Sequence, residues 1–311
     1  MSRPRPPSSD LLTLPGKRLA IEQGLSKPRG RFRRGLIHPE NEAAARLLLR
    51  AVLRAAGLLR RGERNALQLA IRNLRLAFPG LPEAFWGFRI LHLSDLHLGA
   101  SPPLVARIRE RLQGVQADLC VLTGDYRFDV TGTSDAVYRD MRQILPAIDA
   151  EEGIVGVLGN HDDAETAPAL AGLGVTVLVN EAFEIRRGGQ SLWLLGVDDP
   201  HYYGCDDLEA ARAAVPAGGF TVLLAHSPEL AEPAAAAGVD LYLCGHTHGG
   251  QICFPWLGPL WMNAHCPRAF TRGLWRHRGM QGFTSAGVGT SVLPVRFNCP
   301  PEIALIELIP A

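Results

Sequence analysis

Five short apolar runs in this chain stop at residues able to hold a metal ion. The run at 90–94 passes into Asp95-Leu96-His97, 119–123 into Gly124-Asp125, 154–158 into Gly159-Asn160-His161, 220–225 into His226, and 239–244 into Gly245-His246-Thr247-His248. Apolar runs of this length, rich in β-branched residues and bounded by glycine or polar groups, read as buried strands. A strand that ends in Gly-His-x-His sets two imidazoles on one side of a tight turn, beyond the sheet edge. The fold must therefore bring five strand ends to one place.

At 311 residues, 47% hydrophobic and 20% charged, the chain is long enough for one large domain and an appendage. Its near-zero net charge conceals a division. Residues 1–90 hold 18 Lys and Arg against 6 Asp and Glu, and the remainder is acidic. Such asymmetry points to different partners for the two parts. The six cysteines are scattered without a Cys-x-x-Cys pair, and Cys120 and Cys244 fall inside apolar runs as small buried thiols. No 18-residue apolar stretch occurs, and neither the Arg/Pro-rich start nor Arg33-Arg34 leads into an apolar export segment. The expectation is a cytoplasmic protein, with peripheral attachment to the inner membrane as its companion.

Residues 1–40 carry Pro, Gly, Ser and nine Lys or Arg without periodicity, which predicts a basic flexible arm. Residues 41–84 read as an amphipathic helical extension. A first helix places Leu48, Val52, Ala55 and Leu59 on one face and Arg46, Arg50 and Arg54 on another. A second follows Gly62, with Leu67, Ile71, Leu74 and Phe78 as its stripe, until Pro79-Gly80. A Leu face beside an Arg face suits an anionic bilayer surface, here through residues 41–78, or equally well the flank of the chain's own domain. Nucleic acid is set aside as a partner, because the arginines are not interleaved with aromatics. From residue 85 to 311 apolar runs alternate with helical stretches at 103–113, 135–149 and 164–173, and later strands come with fewer helices. This pattern predicts an α/β domain: two sheets packed face to face with helices outside.

The strand ends together offer Asp95, His97, Asp125, Asn160, His161, His226, His246 and His248. Imidazole, carboxylate and amide without thiolate suit Mn²⁺, with iron or Zn²⁺ as alternatives, and the set is too nitrogen-rich for a Ca²⁺ or Mg²⁺ cage. The donors exceed what one ion needs, so two divalent ions are implied. A pair of cations about 3.5–4 Å apart activates water and clamps an in-line displacement at phosphorus.

The ordered series Asp-x-His, Gly-Asp, Gly-Asn-His, lone His and Gly-His-x-His resembles the calcineurin-like metallophosphoesterases, over residues 85–311. That resemblance implies a four-layer α/β/β/α sandwich of two mixed sheets with the metal site at strand ends. It further implies Asp95, His97 and His248 on one metal, Asn160, His226 and His246 on the other, Asp125 bridging, and His161 protonating the leaving group. Residues 81–90, Gly249-Gly250-Gln251, 287–291 and 300–303 are similar to the YkuE-like bacterial phosphodiesterases. This implies a phosphodiesterase or pyrophosphatase with a metal-activated hydroxide nucleophile. An enzyme splitting UDP-2,3-diacylglucosamine, a lipid-linked nucleotide, at the inner membrane surface is the alternative. A non-catalytic metal-binding scaffold is a further one, although such a platform would not need to keep Asp125, Asn160 and His161.

Other polar residues receive smaller roles. His92 reads as structural; His201, after Asp198-Asp199-Pro200, is a candidate for the substrate pocket. Arg296 is either a phosphate clamp or a structural partner of Glu302. His265 and His277 receive none.

Overall fold

The computed structural model describes residues 16–28, 43–99, 101–129, 133–259 and 262–311. Residues 1–15 and 29–40 of the expected arm lie outside the described residues. Three helices lead: α1 (Gly16–Glu22), α2 (Ala43–Ala55) and α3 (Leu59–Ala66). Then come β1 (Ala70–Phe78), β2 (Arg89–Leu93), α4 (Pro102–Leu112), a short β3 (Gln116–Ala117) and β4 (Leu119–Thr123). Helix α5 (Asp135–Ile144) leads to β5 (Asp149–Ala150), which pairs with β3, and on through β6 (Ile154–Val157), α6 (Thr166–Ala171) and β7 (Val175–Val177). The second half runs β8 (Glu181–Arg187), β9 (Gln190–Gly196), α7 (Leu208–Arg212), β10 (Phe220–Leu224), α8 (Ala231–Ala236) and β11 (Leu241–Cys244). A small hairpin of β12 (Cys253–Phe254) and β13 (Gly258–Pro259) precedes β14 (Gly273–His277), β15 (Met280–Thr284) and β16 (Glu302–Pro310).

Two six-stranded mixed sheets form, ordered β1-β16-β2-β4-β6-β7 and β14-β15-β11-β10-β9-β8. Each has a parallel centre. In the first, β2, β4, β6 and β7 run parallel; in the second, β9, β10, β11 and β15 do. The facing sides interlock through residues such as Ile90, Val121, Val157, Leu194, Val222 and Leu243. The outer faces are covered by helices: α4, α5 and α6 on the first sheet, α7 and α8 on the second. Strands buried on both faces explain the near-continuous apolar runs. The four-layer α/β/β/α expectation holds.

The second predicted helix is corrected. Residues 70–78 are a strand, paired parallel to β16 in the register Ala70↔Glu302 to Phe78↔Pro310. The 67, 71, 74, 78 spacing looked helical, but Leu74, Leu76 and Phe78 have period two and all join the layer between the sheets. Within 41–84 the α-helical part thus ends at Ala66. The face of α2 also differs from expectation. Leu49 and Leu53 pack against Leu293 and Val295, whereas Leu47, Leu48 and Val52 are exposed. Burying Leu53 contributes roughly 2 kcal/mol, more than the 0–1 kcal/mol usual for an exposed pair such as Arg46–Asp129. Apolar packing therefore docks α2. Helix α3 approaches so closely that a Cβ at Gly62 would lie 2.8 Å from Val295 and Phe297.

His92 is structural, as expected: fully buried, with Nε2 2.8 Å from Thr123 Oγ1. Burial pushes its imidazole down to about 3. The folded state therefore refuses a proton that the unfolded chain accepts near pH 6.5, and stability falls as pH drops below that value. His92→Gln, which can keep the bond to Thr123, removes this contribution. Between pH 7 and 5 the variant is expected to lose less stability than wild type, by up to about 2 kcal/mol, in denaturant titrations at the two pH values.

Candidate metal centre

All five predicted strand ends meet at one edge of the sandwich. The loop after β2 supplies Asp95 and His97, that after β4 Asp125, that after β6 Asn160 and His161, that after β10 His226, and that after β11 His246 and His248. Five of these residues, Asp95, His97, Asp125, His246 and His248, have φ between 43° and 69°. Left-handed backbone costs a non-glycine residue on the order of 1–3 kcal/mol, and it persists only where its surroundings over-determine it. Here the loops hold one another. His97 N donates to Asp125 O at 3.0 Å and Asp95 N to Gly124 O at 3.1 Å. His161 N donates to Asp125 Oδ1 at 2.8 Å, and His246 N reaches both Asp95 oxygens at 3.1 Å.

The side chains form three buried, overlapping donor groups: Asp95, His97 and His248; His97, Asp125 and His161; Asp125, His226 and His246. Their atoms suit cations. His97 Nδ1 donates to Arg127 O at 2.8 Å and His226 Nδ1 to Thr123 O at 2.8 Å, so both rings turn Nε2 inward, where a bound cation would take the lone pair. His97 Nε2 then lies 3.0 Å from His248 Nε2. His226 Nε2 lies 3.0 Å from Asn160 Oδ1, 3.3 Å from Asp125 Oδ2 and 3.2 Å from His246 Nδ1. Acceptors converging at these distances need either a shared proton or a cation between them.

The electrostatics agree. Burial pushes the Asp95 carboxyl up to about 6 and the His97 imidazole down to about 3. Burial also drives His246 and His248 well below their usual range. Asp125 goes the other way: burial opposes its ionisation, but His226 and His161 hold it well below the usual carboxylate range. Conversely, the Asp125 charge outweighs the burial of His226 and lifts its imidazole to about 10. Either a proton or a metal ion answers the same demand for charge.

The two candidate substrate residues each lie against a donor residue. Arg296 is fully buried, and its guanidinium donates to Ala286 O at 2.7 Å, Gly287 O at 3.2 Å and Cys299 O at 3.3 Å. It braces the 286–289 loop, and its Nη2 lies 3.4 Å from His248 Nδ1. Glu302 instead meets Arg72 and Ala286 N. His201 is buried, with its ring 4.0 Å from that of His246 and its Nδ1 2.9 Å from Glu229 Oε1. It backs a candidate ligand and stays out of the cavity.

Asp162 received no mention in the sequence reading, and Gln251 was noted there without a role. Asp162 accepts from Asp125 N at 2.8 Å, Tyr126 N at 2.9 Å and Gly159 N at 2.8 Å, tying two ligand turns together. Its signal was present, as the carboxylate directly after Gly-Asn-His. Gln251 donates to Ser291 O at 2.9 Å and Leu293 O at 3.0 Å and accepts from Ser291 N at 2.8 Å, fixing the 291–293 wall.

Residues 88–250 match the family model for calcineurin-like phosphoesterases. The chain belongs to this family. It is 32% identical over 231 residues to the phosphodiesterase YaeI of Escherichia coli, covering 71% of this chain and 82% of YaeI. It is 29% identical over 240 residues to the uncharacterized metallophosphoesterase YkuE of Bacillus subtilis, covering 73% and 81%. Among solved structures, the sulfate thiohydrolase SoxB of Thermus thermophilus aligns with a TM-score of 0.44 and 16% identity, over 74% of this chain and 57% of that one. As a calcineurin-like phosphoesterase the chain is a hydrolase of phosphoester bonds whose family uses divalent metals, and the scaffold alternative gives way.

Gly245 is the tightest point of the site, since a Cβ there would fall on Ser94 Oγ and the Asp95 carboxylate. Gly245→Ala is expected to weaken Mn²⁺ binding by about tenfold or more, measured by titration calorimetry.

Proposed function

We propose that this phosphoesterase cleaves phosphodiesters with two Mn²⁺ ions, iron or Zn²⁺ being the substitutes. Asp95, His97 and His248 would hold one ion and Asn160, His226 and His246 the other, with Asp125 between them. When bound, the ions supply Lewis acidity to water and to the phosphoryl oxygens. His161 presents the proton. Its Nδ1 meets Phe128 O at 3.0 Å, which fixes the ring and leaves Nε2 4.0 Å from Asp125 Oδ2, on the side of the donor cluster. A proton on Nε2 passes to the departing alkoxide, which leaves as an alcohol.

The preference for a diester rests on two cavities beside the ligands. One, of about 190 Å³, is lined by Asn160, His161, His246 and Leu49. The other, of about 440 Å³, is lined by His97, Arg50, Phe128 and Thr290. They share Val292 and Leu293. A diester carries two substituents, and this site offers room on two sides. The name of YaeI supports the same class. Metal-reconstituted protein is expected to hydrolyse bis-p-nitrophenyl phosphate faster than p-nitrophenyl phosphate, and Asp125→Ala and His161→Ala to lose at least about a hundredfold in kcat, in line with the usual contribution of a general acid. Faster cleavage of the monoester would overturn the preference.

A lipid-linked pyrophosphate such as UDP-2,3-diacylglucosamine, met in the cytoplasm at the inner membrane surface, is the second reading. Its support is the exposed apolar set Leu47, Leu48 and Val52 on α2, with Phe254, Trp256 and Leu257 on the β12–β13 hairpin. Both elements border the smaller cavity, through Leu49 and Ile252. Arg50 and Arg54 on the same helix suit anionic headgroups. Among the described residues no helix is long and apolar enough to cross a membrane. The protein is expected to co-sediment with phosphatidylglycerol vesicles, and replacing Leu47, Leu48, Val52 and Trp256 with Ser to release it. Equal binding by the variant would remove the membrane from this reading.

A further inference from the structure

The segment 1–40 was expected to be a flexible arm, yet its helix α1 sends one arginine into the protein beside the metal centre. Arg18 is fully buried. Its Nη2 donates to Gly159 O at 2.6 Å, and its Nη1 lies 3.3 Å from Asp198 Oδ1. The guanidinium sits 4.0 Å over the Tyr203 ring. Glu22, one turn further on, accepts from Ala164 N at 3.0 Å and from Tyr203 Oη at 3.4 Å.

These contacts join two loops, and each touches the set of Asn160, His226 and His246. Gly159 immediately precedes Asn160 and His161. On the other side, Asp199 N donates to Asp198 Oδ1 at 2.8 Å and His201 N to Asp199 Oδ1 at 3.1 Å, and the His201 ring rests 4.0 Å from His246. A flat guanidinium can serve a carbonyl and a carboxylate at once, which an ammonium on a flexible stem does poorly.

We propose that Arg18 is a positioning residue: it ties the Gly159-Asn160-His161 turn to the Asp198–His201 loop and so sets the geometry of the second metal site. The inference rests on the two-metal assignment above. Its simplest competitor is charge balance, in which Arg18 only neutralises a buried carboxylate. Three full-length variants separate the two: Arg18→Met, Arg18→Lys, and Arg18→Met combined with Asp198→Asn, which removes both charges.

Wild type and variants are compared by melting temperature, by Mn²⁺ titration, and by amide hydrogen exchange of residues 158–164 in metal-free protein. Positioning predicts that the double variant regains the melting temperature lost by Arg18→Met, yet still binds its second Mn²⁺ at least about tenfold more weakly than wild type. Its 158–164 amides would also exchange faster. Arg18→Lys, which keeps the charge and so guards against a variant that does not fold, should show the same two defects. Wild-type exchange and Mn²⁺ affinity in the double variant or in Arg18→Lys would overturn the proposal. Wild type binding fewer than two Mn²⁺ would count against the two-metal reading alone, and the exchange measurement would still decide whether Arg18 holds the turn.

Discussion

The charge on Asp125 is the constraint on which the rest of the site depends. A carboxylate buried at the junction of two sheets would ordinarily take up a proton. Three imidazoles crowd it, with His226 at 3.3 Å, His97 at 3.6 Å and His161 at 4.0 Å from Oδ2, and His226 above all holds the proton off. Those rings come from three different strand ends, so the loops must close around one carboxylate before any of them is useful. The other oxygen, Oδ1, accepts the His161 main-chain hydrogen and thereby sets the residue proposed to deliver the proton. One side chain therefore couples the charge of the metal centre to the placement of the acid. Asp162, its own carboxyl pushed up to about 6 by burial, fixes the Asp125 turn from behind through main-chain hydrogens.

Strain is concentrated where this charge sits. Five donor residues occupy left-handed backbone, while the strands beneath them are regular and buried on both faces. The sandwich supplies a rigid platform, and the loop-to-loop hydrogen bonds keep the turns from relaxing into easier geometry. Catalytic preorganisation by fixed dipoles needs this division between a stable scaffold and strained ends.

The donor residues were legible in the sequence because the physics that makes a buried parallel strand also marks where it stops. Apolar runs end abruptly at the sheet edge, so Asp125 or His226 announces itself by position. The two-sheet architecture was legible for the same reason. The strand at 70–78 was not, because Leu67, Ile71, Leu74 and Phe78 fit a helical stripe as well as Leu74, Leu76 and Phe78 fit a strand, and only the partner β16 decides between them. Periodicity likewise placed α2 as amphipathic but could not say which leucines turn inward; Leu293 and Val295, some 240 residues away in sequence, choose Leu49 and Leu53. Arg18 reaches the Gly159 carbonyl and Asp198 from far away in sequence, which leaves no mark in local pattern, and Asp162 was marked only by its place after Gly-Asn-His.

The charge division between the first ninety residues and the rest takes on a different meaning once those contacts are known. Arg18 meets Asp198, Arg46 meets Asp129, Arg72 meets Glu302 and Arg75 meets Glu307. The basic part is in part the complement of the acidic part, folded onto it. The three pairs with an exposed partner contribute little energy, and the docking rests on buried contacts such as those of Leu53 and Arg18. Two helices that sequence pattern would assign to an appendage thereby become parts of the site: α1 braces the turn behind Asn160, and α2 forms a wall of the cavity before it. Leu49 and Arg50 of α2 each line one of the two cavities beside the donor residues, so the segment ahead of the sandwich strands contributes to the surroundings of the candidate metal centre along with the loops at the strand ends.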